Sequence, residues 1–192
     1  MSERKGTRGR IEAAALQLFV DKGVAATSIR DIAASVGFSD GALYRHYASK
    51  DDLVWNLFRG SFAGYAQTLA RLAASHHASR DKITAMVHGF CDLFDTDSRL
   101  FRFLLLVQHG QLARVTPGMP NPVETVRGVI VAGMKAGDIA AGDPDLATAM
   151  VMGIILQTAT FKVYGRIQQP LSELAPRLAA AAWRTLSADA KG

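Results

Sequence analysis

The stretch IRDIAASVGFSDGALYRHY, residues 29–47, is the most informative part of the sequence. It predicts two short helices around a tight turn at Gly37, because glycine tolerates the positive φ that such a turn requires. Small and apolar residues stand where the two helices must lock together, and polar and aromatic side chains crowd the second helix. A helix-turn-helix unit has these requirements at this spacing. The residues expected to lock the pair are Ile32, Ala33, Val36, Phe38 and Leu43.

The segments on both sides of this stretch also have helical patterns. Apolar residues in residues 7–22 recur at helical spacing, and Ser28 with Asp31 forms a capping-box-like helix start. Ser49 with Asp52 predicts a second start of this kind, opening a long helix. We therefore predict an all-α protein of about nine helices, with a small head at residues 1–49 and a larger, more apolar body at residues 50–192. Further helices are expected at 82–95, 98–115, 123–136, 145–164 and 172–187.

Composition is that of a soluble globular protein, with 49% hydrophobic and 20% charged residues. Cys91 is the single cysteine, so the chain can form no internal disulfide, and a reducing cytoplasm fits best. No apolar segment follows the basic N-terminus, so we predict no secretory signal. The apolar run at 149–161 is interrupted by Gly153, Gln157 and Thr158, and we predict neither a membrane span nor a membrane partner.

Positive charge is concentrated at the N-terminus. The net charge is +5, and residues 1–50 hold eight basic against five acidic side chains. A basic head is compatible with nucleic acid. Arg45 could pair bidentately with guanine, and Tyr44 could contact a phosphate or a thymine methyl. Phosphate contacts are expected at Lys50, which begins a helix, and at Ser28 and Arg30, which open the first helix of the helix-turn-helix.

The order of these motifs resembles the DNA-binding region of TetR-type (tetracycline-repressor-like) bacterial transcriptional regulators. The resemblance runs from about residue 7 to residue 57, and it is carried by helix 1, the Gly37 turn, GALYRHY and SKDDL at family spacing. It implies a homodimeric repressor that binds a double-stranded DNA operator. With Arg45 added from its chemistry, the expected DNA-binding residues are Ser28, Arg30, Ser39, Gly41, Ala42, Tyr44, Arg45, His46 and Lys50.

The resemblance also assigns roles to the body, residues 50–192. It implies that the last two helices of each subunit form a four-helix dimer interface, and that a pocket holds a small, largely apolar effector whose binding releases the operator. Apolar pockets with few polar groups are usual for such ligands. The candidate pocket residues are Phe62, Met86, Phe90, Phe94, Phe103, Gln108, His109, Gln157, Thr158 and Phe161.

Two questions stay open at the level of sequence. Asp40 lies near the expected groove face, where a carboxylate repels phosphate; it could accept a hydrogen bond from cytosine or simply favour the helix N-terminus. The alternative to a ligand-responsive repressor is a DNA-binding regulator without a small-molecule ligand, controlled through a protein partner. No phosphate-binding glycine loop or nucleophile motif occurs, so we predict neither an enzyme nor a cofactor. His88, Cys91 and Asp92 could share a helix face, but they lack a second ligand cluster, and we predict no metal site.

Overall fold

The computed structural model describes residues 2–187, with side chains described from Gly6 onward. Within that range the protein has nine α-helices, one short 3-10 helix and no β-strand, so the all-α prediction is confirmed. The α-helices are α1 (Ser2–Lys22), α2 (Ile29–Val36), α3 (Asp40–Tyr44), α4 (Lys50–Ala74), α5 (Ser79–Thr96), α6 (Ser98–Gln111), α7 (Pro122–Ala136), α8 (Pro144–Val163) and α9 (Leu171–Leu186). The 3-10 helix, Leu112–Arg114, directly follows α6.

Local signals in the sequence set the first helix boundaries. The Asp31 backbone N–H donates to Ser28 Oγ over 3.1 Å, and the Ser28 N–H donates to Asp31 Oδ2 over 2.8 Å, which completes the predicted capping box of α2. Gly37 ends α2 with φ 73°, a left-handed conformation that glycine adopts without a Cβ penalty. Ser49 Oγ accepts from the Asp52 N–H at the start of α4, again as predicted.

Helix α3 is shorter than the sequence predicted. The expected helix extends through Tyr47, but the regular helix ends at Tyr44 after five residues. The Tyr47 N–H still donates to the Leu43 carbonyl over 3.1 Å, but the next N–H, that of Ala48, donates to Asp52 Oδ2 over 3.0 Å, so the helical ladder does not continue. Arg45 and His46 therefore lie in a turn between α3 and α4 rather than on a helix.

The structure divides into two compact units. The first runs to Ser61 and also contains Arg99–Pro117; the second contains Phe62–Ser98 and the chain from Gly118. The first unit thus contains the start of α4 and most of α6 in addition to the N-terminal helices. The domain boundary predicted after residue 49 stays a prediction.

An aromatic pair and a stacked arginine attach the α6 segment within the first unit. Phe103 stacks on Phe19 of α1 with ring centroids 5.9 Å apart. Arg114 lies 4.4 Å from the ring centroid of Trp55 in α4, and its Nη1 donates to Asp51 Oδ2 over 2.9 Å. An arginine between an aromatic face and a carboxylate gains both cation–π and ionic attraction, so these contacts hold the segment against α4.

In the second unit, side chains from distant segments join the helices. A Cβ added to Gly133 of α7 would lie 2.6 Å from Ile139 Cδ1 and 2.9 Å from Ser79 Oγ, so a larger residue here would force these two side chains to shift. Ser79 Oγ in turn donates to Asp138 Oδ2 over 2.9 Å. Asp95 of α5 accepts hydrogen bonds from the first residues of α9, which links those two helices.

Helix α8 is more apolar than the sequence analysis allowed for. By length and composition alone it is the one helix in residues 2–187 that could cross a membrane, with a mean hydropathy of 1.5. Core and interface helices of soluble proteins meet the same criterion, so it is weak evidence for a span. Its significance here is that large apolar side chains remain exposed along it, among them Leu146 and Phe161.

Candidate nucleic-acid interface

The helix-turn-helix rests on a small buried core within the first unit. Ile32 and Ala33 of α2 and Leu43 of α3 have no exposed surface, and Tyr47 is almost completely buried. These residues alternate with exposed polar ones, so burial of one side fixes which side chains α2 and α3 present to solvent. Tyr47 therefore belongs to the core and not to the exposed face.

The structure brings the predicted DNA-binding residues together around the start of α2, helix α3 and the turn after it. Tyr44 is 53% exposed, so its ring and hydroxyl are accessible to a partner. Exposed residues of the predicted set are Ser28, Arg30, Ser39, Gly41, Tyr44 and Arg45, and Ala42, His46 and Lys50 are half-buried. A Cβ at Gly41 would meet nothing within 4 Å, so the start of α3 is open to close approach by a groove.

The two serines have structural tasks within the unit. Ser28 Oγ donates to Asp31 Oδ2 over 2.7 Å, and hydrogen bonds from the Ser28 side chain and backbone lower the pKa of Asp31. Ser39 Oγ accepts from the Ala42 N–H over 3.2 Å. Ser39 acts here as an acceptor, so its own O–H can still donate to a phosphate, whereas the O–H of Ser28 already donates to Asp31.

Lys50 has backbone partners that the sequence analysis did not anticipate. Its Nζ donates to the carbonyls of Val24 over 2.8 Å, Thr27 over 2.9 Å and Ala25 over 3.4 Å. An ammonium group has three N–H donors, so these carbonyls match its full capacity. A phosphate contact by Lys50 remains a prediction, and it would require the ammonium to exchange one of these bonds.

Asp40 has a partner on the neighbouring helix. Its Oδ2 accepts from Arg30 Nε over 3.4 Å, so α2 and α3 are linked by an ion pair on the exposed face. Arg30 is the second residue of α2, and Asp40 is the first residue of α3. This ion pair was not predicted from the sequence. Arg30 and Asp40 are ten positions apart, and no local sequence rule pairs residues at that spacing.

A polar network behind the exposed face was also missed. Tyr47 Oη donates to Glu12 Oε1 over 2.6 Å, and Arg8 Nε donates to the same Glu12 oxygen and to Tyr47 Oη over 3.0 Å each. Burial and then Glu12 raise the pKa of Tyr47 above its usual range, and Arg8 opposes this only in part. Arg8 Nη2 also donates to Asn56 of α4 over 3.0 Å. The i, i+4 spacing of Arg8 and Glu12 was the available signal.

The candidate ligand-pocket residues lie in both units. Phe62, Met86, Phe90, Phe94, Gln157, Thr158 and Phe161 belong to the second unit, and Phe103, Gln108 and His109 to the first. Met86, Phe94 and Phe103 are buried, whereas His109, Gln157 and Phe161 are exposed. The hydroxyl of Thr158 donates to the Ile154 carbonyl over 2.6 Å, within its own helix. Their role in ligand binding remains a prediction.

Comparison with known proteins agrees with this geometry. The family of bacterial regulatory proteins named after tetR matches residues 11–55, which hold the capped α2 and α3. Over 53 residues the chain is 43% identical to the transcriptional repressor KstR2 of Mycobacterium tuberculosis, a match that covers 28% of this chain and 26% of that protein. The match thus spans about a quarter of the length of this relative.

Two solved structures share the fold over nearly the whole chain. The fatty acid degradation regulator FadR of Bacillus halodurans has a TM-score of 0.83 at 18% identity, covering 91% of this chain and 93% of its own. The regulator FadR of Bacillus subtilis, solved in complex with stearoyl-CoA, has a TM-score of 0.75 at 20% identity, covering 90% and 96%. Residues 11–55, which contain the helix-turn-helix, therefore match the tetR family of bacterial regulatory proteins, and the chain as a whole shares the fold of these two regulators.

Proposed function

We propose that this protein is a transcriptional repressor that binds operator DNA as a homodimer in the cytoplasm. The observation that carries the proposal is the exposed face of α2, α3 and the following turn, where Arg30, Tyr44 and Arg45 stand on a buried, capped frame. Side chains of these types supply phosphate and base-edge contacts in the major groove. The protein would act by binding and not by catalysis.

The predicted DNA contacts divide into two kinds. Arg45 is proposed to contact base edges, and Tyr44 a phosphate or a thymine methyl. Ser28, Ser39, Gly41, Ala42, His46 and Lys50 are proposed to surround them, mainly at the phosphate backbone. Phosphate contacts set affinity and its salt dependence, whereas base contacts set sequence preference, so the two kinds are separable by experiment.

For dimerisation, we propose the exposed side of α8 together with α9. The exposed positions Leu146, Met150, Gly153, Gln157 and Phe161 follow a spacing of four, three, four and four residues. That spacing puts them on one side of the helix, as in helices that pack against a partner helix. Leu146 and Phe161 are 59% and 45% exposed, and a second copy of α8 would remove this surface from water.

For the effector, we propose a long-chain acyl group carried on coenzyme A. The support is the likeness in fold to two FadR regulators, one of them solved with stearoyl-CoA. The candidate pocket residues include a set of apolar side chains on α4 and α5, namely Phe62, Met86, Phe90 and Phe94. A ligand must favour one of two states by roughly 5.5 kcal/mol to move an operator from nearly full to nearly empty. Burial of a long acyl chain could supply that difference.

The test is a titration of the protein on the DNA upstream of its own gene. Retardation of that DNA by wild type, lost in Tyr44→Ala, is the expected result for DNA binding. Stearoyl-CoA is then added to the complex, with coenzyme A and stearate as separate controls. Release by stearoyl-CoA alone supports the acyl-CoA proposal. If stearoyl-CoA neither releases the DNA nor raises the thermal stability of the protein, the proposed effector is contradicted and control by a protein partner is favoured.

A further inference from the structure

The ion pair between Arg30 and Asp40 has a geometry suited to reading a base. We propose that Asp40 is a positioning residue that holds Arg30 for bidentate recognition of a guanine in the operator. This inference rests on the proposed DNA binding and goes beyond it, because it assigns a base-reading role to α2. In this proposal Asp40 holds the Arg30 side chain in the orientation that guanine recognition needs.

The hydrogen bond to Asp40 uses only the inner nitrogen of the Arg30 guanidinium. Asp40 Oδ2 lies 3.4 Å from Nε of Arg30, the one guanidinium nitrogen that faces back along the side chain. This leaves Nη1 and Nη2, which point outward from a side chain that is 84% exposed. Paired N–H groups on two nitrogens match the O6 and N7 acceptors of guanine in the major groove.

The charge of Asp40 affects which DNA group Arg30 can bind. A phosphate offers two oxygens in a similar arrangement, but it gains mainly from net positive charge, and Asp40 neutralises Arg30 and would itself repel the phosphate. A guanine edge is uncharged, so it loses little from the neighbouring carboxylate and keeps both directional hydrogen bonds. Asp40 therefore favours the base edge over the backbone as the partner of Arg30.

The Arg30–Asp40 pair does little for folding. Arg30 and Asp40 side chains are 84% and 45% exposed, and exposed ion pairs contribute little to stability. Holding a long arginine side chain in one direction before DNA arrives, in contrast, removes an ordering cost from binding. The benefit of the pair thus lies in recognition, and substitutions at Asp40 can be made without losing the fold.

The experiment selects binding sites from random double-stranded DNA with wild type, Arg30→Lys and Asp40→Ala. Wild type is expected to select a guanine at one position of each half-site, and both variants are expected to lose that preference. Replacing that guanine with 7-deazaguanine, which lacks the N7 acceptor, should weaken wild type about tenfold and leave both variants nearly unchanged. Asp40→Ala should also bind unrelated DNA more tightly, with a salt dependence steeper by about one phosphate contact.

Controls separate this inference from the proposed function. Thermal unfolding should show that Asp40→Ala folds like wild type, and Asp40→Asn provides a second variant without the charge. A guanine preference retained in both Asp40 variants overturns the inference while leaving DNA binding intact. Equal loss of affinity for all sequences in Arg30→Lys also overturns it, because that result assigns Arg30 to a phosphate. If wild type selects no sequence at all, the proposed function falls as well.

Discussion

Lys50 Nζ lies 2.8 Å from the carbonyl oxygen of Val24. The same ammonium bonds the carbonyls of Ala25 and Thr27, so the first residue of α4 binds the whole turn between α1 and α2. Thr27 is buried, and its own hydroxyl donates to the Gly23 carbonyl over 2.8 Å. The lysine that the sequence marked for phosphate is thus part of the frame that holds the helix-turn-helix to α4.

Replacing Lys50 with Met should lower the free energy of unfolding by about 1–2 kcal/mol, because carbonyls of the turn lose a charged donor. Chemical denaturation of the full chain measures this, and Lys22→Met, at an exposed lysine of the same unit, is the matched control. The salt dependence of DNA binding tests the second role. If the slope of log affinity against log salt concentration is smaller by about 0.9 in the variant, Lys50 also contacts a phosphate. An unchanged slope would mean that Lys50 only holds the turn between α1 and α2.

Tyr47→Phe should destabilise the protein by about 1–2 kcal/mol at neutral pH, because Glu12 and Arg8 lose the buried hydroxyl between them. The pKa of Tyr47 is raised in the folded state, so its contribution is complete below the unfolded value of about 10 and is lost as pH rises above it. Unfolding by denaturant across pH 8–12 should therefore show a difference between wild type and variant that shrinks above about pH 10.

Tyr65 provides the comparison for this alkaline titration. Burial, with a smaller effect of Asp97, raises the pKa of Tyr65 to about 12, so wild type should lose stability from this residue as well. Tyr65→Phe is expected to remove the part of the alkaline stability loss that comes from Tyr65 and to leave the part that comes from Tyr47. A Tyr47→Phe variant that follows the wild-type pH curve in parallel would contradict the proposed hydroxyl network.

Asp95→Ala should destabilise α9 and lower the free energy of unfolding by about 1 kcal/mol, the usual cost of a lost helix cap. Its carboxylate accepts from the N–H groups of Leu171 and Ser172, over 3.1 and 2.8 Å, and from Ser172 Oγ over 2.8 Å. Residue 170, which precedes the helix, is proline and provides no side-chain cap. Asp92→Ala, at an exposed carboxylate of α5, is the control and should have little effect.

The pH dependence of the same variant has a definite sign. Partial burial alone would raise the pKa of Asp95, but the hydrogen bonds from Ser172 and Leu171 outweigh it and lower the pKa. The contribution is then complete above the unfolded value of about 4 and is lost as pH falls below it. Plots of the free energy of unfolding against pH should therefore converge in acid for wild type and Asp95→Ala. Plots that stay parallel would exclude Asp95 as the cap of α9.

What the sequence could predict follows from the range of each interaction. The capping box of Ser28 with Asp31 spans three residues and was predicted, whereas the cap that Asp95 gives α9 spans 76 and was not. Lys50 shows a different difficulty. A phosphate and a backbone carbonyl are both oxygen acceptors, so its chemistry fits either, and only the folded position of the α1–α2 turn supplies the carbonyls.

The final prediction concerns the exposed side of α8. Met150→Glu places a carboxylate on this apolar face, where a second copy would have to desolvate it without an opposite charge. Wild type is expected to sediment as a dimer at micromolar concentration and the variant as a monomer. Ala132→Glu, at an exposed position of α7, is the control and should remain dimeric. Because a dimer positions two heads on two half-sites, Met150→Glu should also lose most operator affinity while each head stays folded. A wild-type monomer, or a Met150→Glu dimer, would show that α8 does not form the interface.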